Sequence, residues 1–336
     1  MRQFTSLLLM LVIFTIVSGC SMTDAKDNVK DGEAETNHNL TIYGGSVGGV
    51  WSTFTEGVSE AVRREYPGTL ISAIPGTVAG NSVLVDQKKA DFAIAESLTA
   101  RFAYEGHKPF NEKHENIRAV AAIIPENTFQ LVAPVSAPFD SIEEVVHDNI
   151  GIRYSAGEKD ALGDVISASI FEAYGITYED IENNGGEVNF LSGGKTFELM
   201  QDDRIDSLGK MVPIPASDII EASASINMKL IPIGQTAIDY LVETYQLTPY
   251  TIEAGSYDFQ KEDYLTVNTP TILITHASMS EDVVYQVTKS IYNQLDYLED
   301  VHKGFKVVND ETIIDVGGVP FHPGAESFYK ELELIQ

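Results

Sequence analysis

From residue 40 onward, the apolar positions of this chain switch repeatedly between runs of strand length and spacings of helical period. Thr41-Ile42-Tyr43 reads as a strand and leads into a glycine loop. Phe54, Val58, Ala61 and Val62 then recur on one helical face, with Glu56, Glu60, Arg63 and Arg64 on others. Residues 70–74 predict a second strand, Pro75-Gly76-Thr77 a turn, 79–88 a helix and 92–95 a third strand. Strand, helix, strand, helix, strand is the order of a parallel α/β sheet.

The alternation resumes beyond Pro134 and Pro138, whose fixed φ and missing N–H favour a crossing segment over a helix. Ser141-Ile142-Glu143-Glu144 has the spacing of a capping box. Residues 150–154 predict a strand, and 165–173 a helix that Gly175 can end in the left-handed conformation. Strands at 188–191, 207–212 and 230–231, with a helix around 197–200, continue the pattern. The β-prone stretch 266–275 would carry the chain back to the first unit. Val284, Val287, Ile291, Leu295 and Leu298 then form one stripe of a long helix, opened by Glu281 and Asp282 where the helix dipole favours acids. The body is too long for one ordinary core, at about 100–200 residues per domain. Two α/β lobes are expected: 40–133 with 270–336, and 134–269.

The first 39 residues read differently. A positive start at Met1-Arg2, an apolar run from Leu7 to Val17 and the small residues Ser18-Gly19 have the three parts of an export signal, residues 1–19. The run falls short of the roughly 20 apolar residues of a spanning helix. Cys20, the only cysteine, would then open the mature chain and carry lipid, anchoring the protein to the outer face of the cell membrane. Residues 20–39 are polar, charged and without apolar period, as in a flexible tether. A lipidated Cys20 leaves no thiol for a disulfide, so packing alone must hold the fold.

Charge narrows the partners. With 22 Lys+Arg against 50 Asp+Glu the formal net charge is -28. Nucleic acid is excluded as a partner because phosphate binding needs basic surface. So much acid suits a solvated exterior in high salt or at high external pH, and a basic ligand is the sharper alternative. The seven His residues show no i, i+3 or i, i+4 pair, so no metal site is expected.

Gly44-Gly45-Ser46-Val47-Gly48 matches G-x-S-x-G between a strand and a helix. Only one short strand precedes Ser46, whereas a nucleophile elbow follows several, and neither His276 nor His322 sits in a recognisable signature, so an enzyme is disfavoured. Neither G-x-G-x-x-G nor G-x-x-x-x-G-K-[ST] is present. What remains is a glycine turn at a helix start, where backbone N–H groups and the dipole favour an anion, with Gly76-Thr77 before the helix of Asn81 as a second. Two such starts at the carboxyl ends of neighbouring parallel strands make the crevice of an open α/β sheet.

Thr41-Ile42, Gly45, Gly48-Gly49-Val50 and Trp51, then Pro75-Gly76-Thr77, then 90–97 (Ala-Asp-Phe-Ala-Ile-Ala-Glu-Ser), resemble the first lobe of TAXI-type solute receptors of TRAP transporters. Asp282-Val283-Val284-Tyr285 with Thr288-Lys289, and Phe321-His322-Pro323-Gly324-Ala325-Glu326 with Tyr329, are similar to that family's return helix and C-terminal signature. The resemblance spans about 40–330. It implies an extracytoplasmic binding protein with the two-lobed type II periplasmic-binding fold, each lobe a mostly parallel sheet flanked by helices, without enzymatic activity or cofactor. It further implies a small organic anion as ligand (a dicarboxylate, an oxo acid or a glutamate-like molecule) and a TRAP-type permease as partner. The chain departs from the pattern where Ser46 and Val47 replace a glycine and a hydroxyl residue, where Trp51-Ser52 replaces two tyrosines, and at 154–164, where extra acids disfavour an anion unless Lys159 or Arg153 offsets them.

On this reading the ligand first rests on lobe 1, against Ser46 and the backbone near Val47, Gly76 and Thr77, with Asn81 beside them, Trp51 as a flat wall and Ser97 nearby. A hinge motion then brings Tyr154, Ser155 and the Met211-Val212-Pro213 segment over it. A receptor that presents its closed form to a membrane signalling kinase is the alternative, which residues alone do not separate from transport.

Overall fold

In the computed structural model, which describes residues 38–336 other than 46, 48 and 49, the chain builds two sheets joined by two short crossings. It runs β1 (Asn39–Tyr43), α1 (Val50–Glu65), β2 (Leu70–Ile74), α2 (Val78–Asp86), β3 (Phe92–Glu96), α3 (Ser97–Glu105) and β4 (Ile117–Ile124). A second series follows: β5 (Asn127–Pro134), α4 (Ile142–His147), β6 (Arg153–Ser155), α5 (Leu162–Ala173), α6 (Tyr178–Asn183), β7 (Glu187–Asn189), α7 (Gly193–Gln201) and β8 (Ser207–Pro213). It continues with α8 (Ser217–Ser223), β9 (Met228–Leu230), α9 (Gln235–Tyr245), β10 (Thr248–Ile252) and β11 (Tyr264–Asn268). The chain then returns through β12 (Thr271–His276) to α10 (Glu281–Asn293), α11 (Leu295–Val301) and α12 (Pro323–Glu331). The signal segment, tether and Cys20 lie outside the described residues, as do Ser46, Gly48 and Gly49. Among the described residues no helix is long and apolar enough to cross a membrane.

The lobe 1 sheet has the order β2-β1-β3-β12-β4 and the lobe 2 sheet β10-β11-β5-β8-β6-β7, with β9 added on β5. Parallel pairing, expected for most of each sheet, joins β2-β1-β3 in one lobe and β8-β6-β7 in the other. The antiparallel pairs beside them have their reason in the crossings. β5 and β12 each start at a crossing and run away from it, so they pair antiparallel with β8 and β3, which end there. β5, expected in lobe 1 up to residue 133, is a central strand of the lobe 2 sheet, so the first crossing is Pro125-Glu126. Pro134 closes β5 rather than opening a crossing, since a residue without N–H is tolerated at a strand's end. Thr269-Pro270 interrupts the β-prone stretch 266–275 as the return crossing.

Two helical details also differ from the sequence pattern. Ser141 Oγ accepts from Glu144 N at 3.1 Å, but the Glu144 carboxylate takes the N–H of Asp140 at 2.7 Å, so the expected box is half closed. A full capping box forms instead at Thr177 and Asp180. The long C-terminal stripe breaks at Gln294 into α10 and α11, and both pieces keep their apolar face on the core.

α1 buries Phe54, Val58 and Ala61 completely, against Val284, Ile291 and Leu298 of the return helices. Each such large apolar side chain contributes about 1.5–3 kcal/mol by leaving water. The other face of the lobe 1 sheet carries Ala93 and Ala95 against Val85, Leu98 and Phe102, and this core continues into lobe 2 through Leu247. α1 thus covers one face, with α2 and α3 on the other. The strand order reverses at β1, which opens a crevice between the ends of β1 and β3.

Candidate functional site

The β1 and β2 loops fold tightly onto each other at this crevice. Gly44 donates to the Ile74 carbonyl at 2.9 Å and Gly76 to the Gly45 carbonyl at 3.2 Å. A Cβ on Gly44 would collide with Thr55 Oγ1, and one on Gly76 with Asn81 Oδ1, so only glycine permits this approach. Asn81 is the tie. Its Nδ2 donates to the Gly44 carbonyl at 2.9 Å and the Ile94 carbonyl at 2.7 Å, while its Oδ1 accepts from Thr77 N at 3.1 Å. One buried amide therefore ties the loops after β1 and β2 to β3, and with both Nδ2 hydrogens and Oδ1 engaged Asn81 positions the loops rather than reaching for a ligand.

The other lobe 1 residues divide. Val47 is 83 % exposed, Thr77 is exposed, and Trp51 is half-buried, with its Cβ where a Gly45 side chain would begin, so these line the loops from outside. Gly76 is half-buried between them. Ser97 is not on that surface. It is fully buried, its hydroxyl shared with Thr269 Oγ1 at 2.8 Å and its N–H given to the Pro270 carbonyl at 2.8 Å. Strand alternation sends Phe92 and Ile94 to the α1 face and Ala93 and Ala95 to the other, and the residue left at the strand's end is Glu96.

In the sequence Glu96 belongs to the 90–97 motif of the resemblance but not to the expected site, because it ends an apolar strand run. It is 6 % exposed, accepts from Thr99 Oγ1 at 3.1 Å, and has no cation partner among the described residues. Burial pushes its carboxyl up to about 7, against smaller opposing effects of the Thr99 hydroxyl and the nearby Asn127 amide. Asn127 Nδ2 lies close enough to favour the ionised form yet completes no hydrogen bond among the described residues. Glu96 therefore stands at the junction of β3 with both crossings.

On lobe 2 the expected lid is partly corrected. Tyr154 is 1 % exposed, packs edge-on to Phe171 and donates to Ser167 Oγ at 2.6 Å, so it belongs to the lobe 2 core. In a strand buried on both faces, neither alternate position is free for a ligand. Ser155 is likewise buried, its hydroxyl bonded to Thr196 Oγ1 at 2.9 Å. Met211 is half-buried on β8 opposite Phe129, and Pro213 lies opposite Asn127 beside the first crossing. One residue before Met211, Lys210 pairs with Asp218 where a Gly193 side chain would sit. A lysine breaking the apolar run 207–212 was the available signal for that pair.

Arg153 does not offset the acids of 158–164. It points to Asp206 and Asp203 at the opposite, N-terminal end of β6. Lys159 instead lies over the Phe190 ring at 4.3 Å. A cavity of about 630 Å³ opens between the lobes beside α3 and α9, lined by Arg101, Glu105, Lys108, Asp160 and Gln246; it meets the loop after β6 at Asp160 but not the glycine loops after β1 and β2.

His276 and His322 stand at the sheet edge away from the glycine loops. His276 ends β12 opposite Ile117, and His322 donates its backbone N–H to the Ala119 carbonyl at 2.9 Å. Their Nδ1 atoms accept from Ser278 N at 2.9 Å and Gly324 N at 3.1 Å. Burial lowers the pKa of both, so each serves as a neutral local cap. Among the described residues no group of three or more His, Cys, Asp or Glu is placed to hold a metal.

The same architecture is found in solved binding proteins of low sequence identity. MatC from Rhodopseudomonas palustris, with bound malate, superposes with a TM-score of 0.56 at 12% identity over 88% of this chain and 97% of its own. PhnD1 from Prochlorococcus marinus, in complex with methylphosphonate, gives 0.54 at 12% identity over 88% and 99%. The periplasmic binding protein BugD gives 0.53 at 11% identity over 88% and 93%. The fold is thus that of the type II periplasmic binding proteins. Residues 42–332 match the NMT1-like family, the segment that holds both sheets, both crossings and the tied loops, and the chain belongs to that family.

Proposed function

We propose that this protein is a solute-binding receptor of the cell envelope, which holds a small molecule where the strand ends of its two lobes flank the crossings and presents it to a membrane transporter. The observation that carries this reading is the Asn81 tie, which spends a buried amide on fixing the β1 and β2 loops to β3 at the switch crevice. A scaffold with no ligand to place has little use for that precision. MatC with malate and PhnD1 with methylphosphonate share the fold, which supports binding rather than turnover. The TAXI resemblance adds the finer parts of the proposal: a TRAP-type permease as partner and an organic acid among the candidate ligands. The export signal and Cys20 add a lipid anchor on the outer face of the membrane.

Thermal unfolding of the intact chain, scanned against dicarboxylates, oxo acids, amino acids, polyamines and simple sugars, tests the receptor role. A solute at 100 times its dissociation constant stabilises by about 2.7 kcal/mol, raising the midpoint by several degrees. No shift with any compound, after refolding to strip a carried-over solute, would overturn the reading.

A further inference from the structure

We propose that Glu96 seats a protonated nitrogen of the solute, so that this receptor takes an amine-bearing molecule, a zwitterion or an organic cation, rather than a simple dicarboxylate or oxo acid. The inference rests on the receptor reading above and narrows its ligand class.

Position comes first. Glu96 ends β3 at the crevice where the strand order reverses, beside the loops that Asn81 ties. Its carboxyl is only partly spent on the fold. Glu96 is the N-cap of α3 but makes no side-chain cap hydrogen bond, and the first N–H of that helix goes to the Pro270 carbonyl instead. Only the Thr99 hydroxyl donates to it among the described residues. An acid held this deep without a cation is costly once ionised, unless something outside the fold supplies the charge.

The neighbouring groups point the same way. Thr271 stands directly across the ladder from Glu96, and its buried Oγ1 has no partner among the described residues. Asn268, at the end of β11 beside the return crossing, uses its Nδ2 on the Pro125 carbonyl at 2.8 Å and leaves Oδ1 buried and unbonded among the described residues. Asn268 Oδ1 and the Thr271 hydroxyl can both accept, and an ammonium brings three donors, whereas the unbonded Asn127 Nδ2 beside Glu96 is a donor that suits the carboxylate of a zwitterion. On the lobe 2 side the cations near the strand ends are engaged elsewhere, while Arg101 and Lys108 line the separate cavity beside α3 and α9. At the lobe 2 edge Lys210 pairs with Asp218, Lys195 with Glu198 at 2.8 Å, and Lys159 covers Phe190. Arg153 is turned to the far end of its strand.

The test is calorimetric titration of the intact chain at pH 8.5 with matched pairs that differ in the amine: L-glutamate and 2-oxoglutarate, L-alanine and pyruvate, putrescine and 1,4-butanediol. The amine-bearing member of at least one pair is expected to bind at least tenfold tighter. Glu96→Gln is expected to lower that affinity at least tenfold and leave the deaminated partner's unchanged. Should Glu96→Gln fail to fold, Glu96→Asp replaces it, and its shorter reach is expected to weaken the amine-bearing member alone. Preference for an amino acid marks a zwitterion site, and preference for putrescine a cation site. Equal or tighter binding of 2-oxoglutarate or pyruvate, or amine binding that ignores Glu96, overturns the inference while the receptor reading stands. Silence from every pair overturns the inference outright, and the wider solute scan then decides whether the receptor reading falls with it.

Discussion

Tyr154 shows how a single side chain changes meaning between sequence and structure. An aromatic at the end of a strand, before a loop, reads as a ligand wall, yet its ring packs in the lobe 2 core and its hydroxyl is satisfied by Ser167. Tyr154→Phe removes one neutral hydrogen bond, and an expected loss of about 1 kcal/mol in denaturant unfolding with solute affinity unchanged checks the assignment. Glu96 makes the opposite case. Its folded pKa lies near 7, raised by burial from the ordinary 4.5, so the fold favours the neutral acid. That contribution is full below about pH 4.5 and is lost as pH rises through about 7, amounting to about 3 kcal/mol for the unliganded protein. Its polar neighbours, Thr99 and Asn127, are uncharged, so they do not reverse the direction. Melting of the unliganded protein from pH 5.5 to 8.5 is expected to fall more steeply in wild type than in Glu96→Gln. Equal slopes would show that Glu96 is not the titrating group.

At the scale of elements, the lobes touch through α3 and the end of α9. Arg101 donates to Gln246 Oε1 at 3.1 Å and to the Tyr245 carbonyl, and the Phe102 and Tyr245 rings meet at 5.6 Å. Gln246 ends α9 in the left-handed conformation, so the carbonyls of its last turn need partners from elsewhere. Arg101→Ala is expected to raise amide exchange at 245–248 about tenfold and to leave β3 unaffected, because a lost bond of about 1.4 kcal/mol opens a segment locally. Unchanged exchange there would show the contact to be incidental. The crossings belong to this scale too. β-prone residues at 266–275 were legible as strand, but the Thr269-Pro270 break was not, since propensity does not register a change of sheet. Likewise residues 127–134 are apolar enough to pair in either sheet. What assigns β5 to lobe 2 is pairing with Lys210, Met211 and Val212, far away in the chain.

For the molecule as a whole, a formal net charge of -28 means that like charges repel across the folded surface. Screening over about 10 Å at 0.1 M salt and about 3 Å at 1 M relieves this. The melting midpoint is therefore expected to rise by several degrees between 0.05 and 1 M NaCl, as read by calorimetry. A fall would mean that attractive pairs such as Arg153 with Asp206 outweigh the repulsion. The same acidity agrees with an amine-bearing solute but does not locate it.

Local physics was sufficient to read the two α/β units, the glycine turns after β1 and β2, and the stripe that buries the return helices. Each depends on a period or a turn that neighbouring residues set among themselves. Tertiary structure alone decided which sheet received β5, why parallel pairing stops at three strands per lobe, and which polar side chains are spent inside the fold. Asn81, Ser97, Ser155 and Tyr154 look like ligand contacts in the chain, but each is bonded to a partner at least 13 and up to 172 residues away. Glu96 looks like the end of a strand. Only the meeting of β3 with both crossings buries it without a cation, and burial is what turns an ordinary carboxylate into a candidate for recognition.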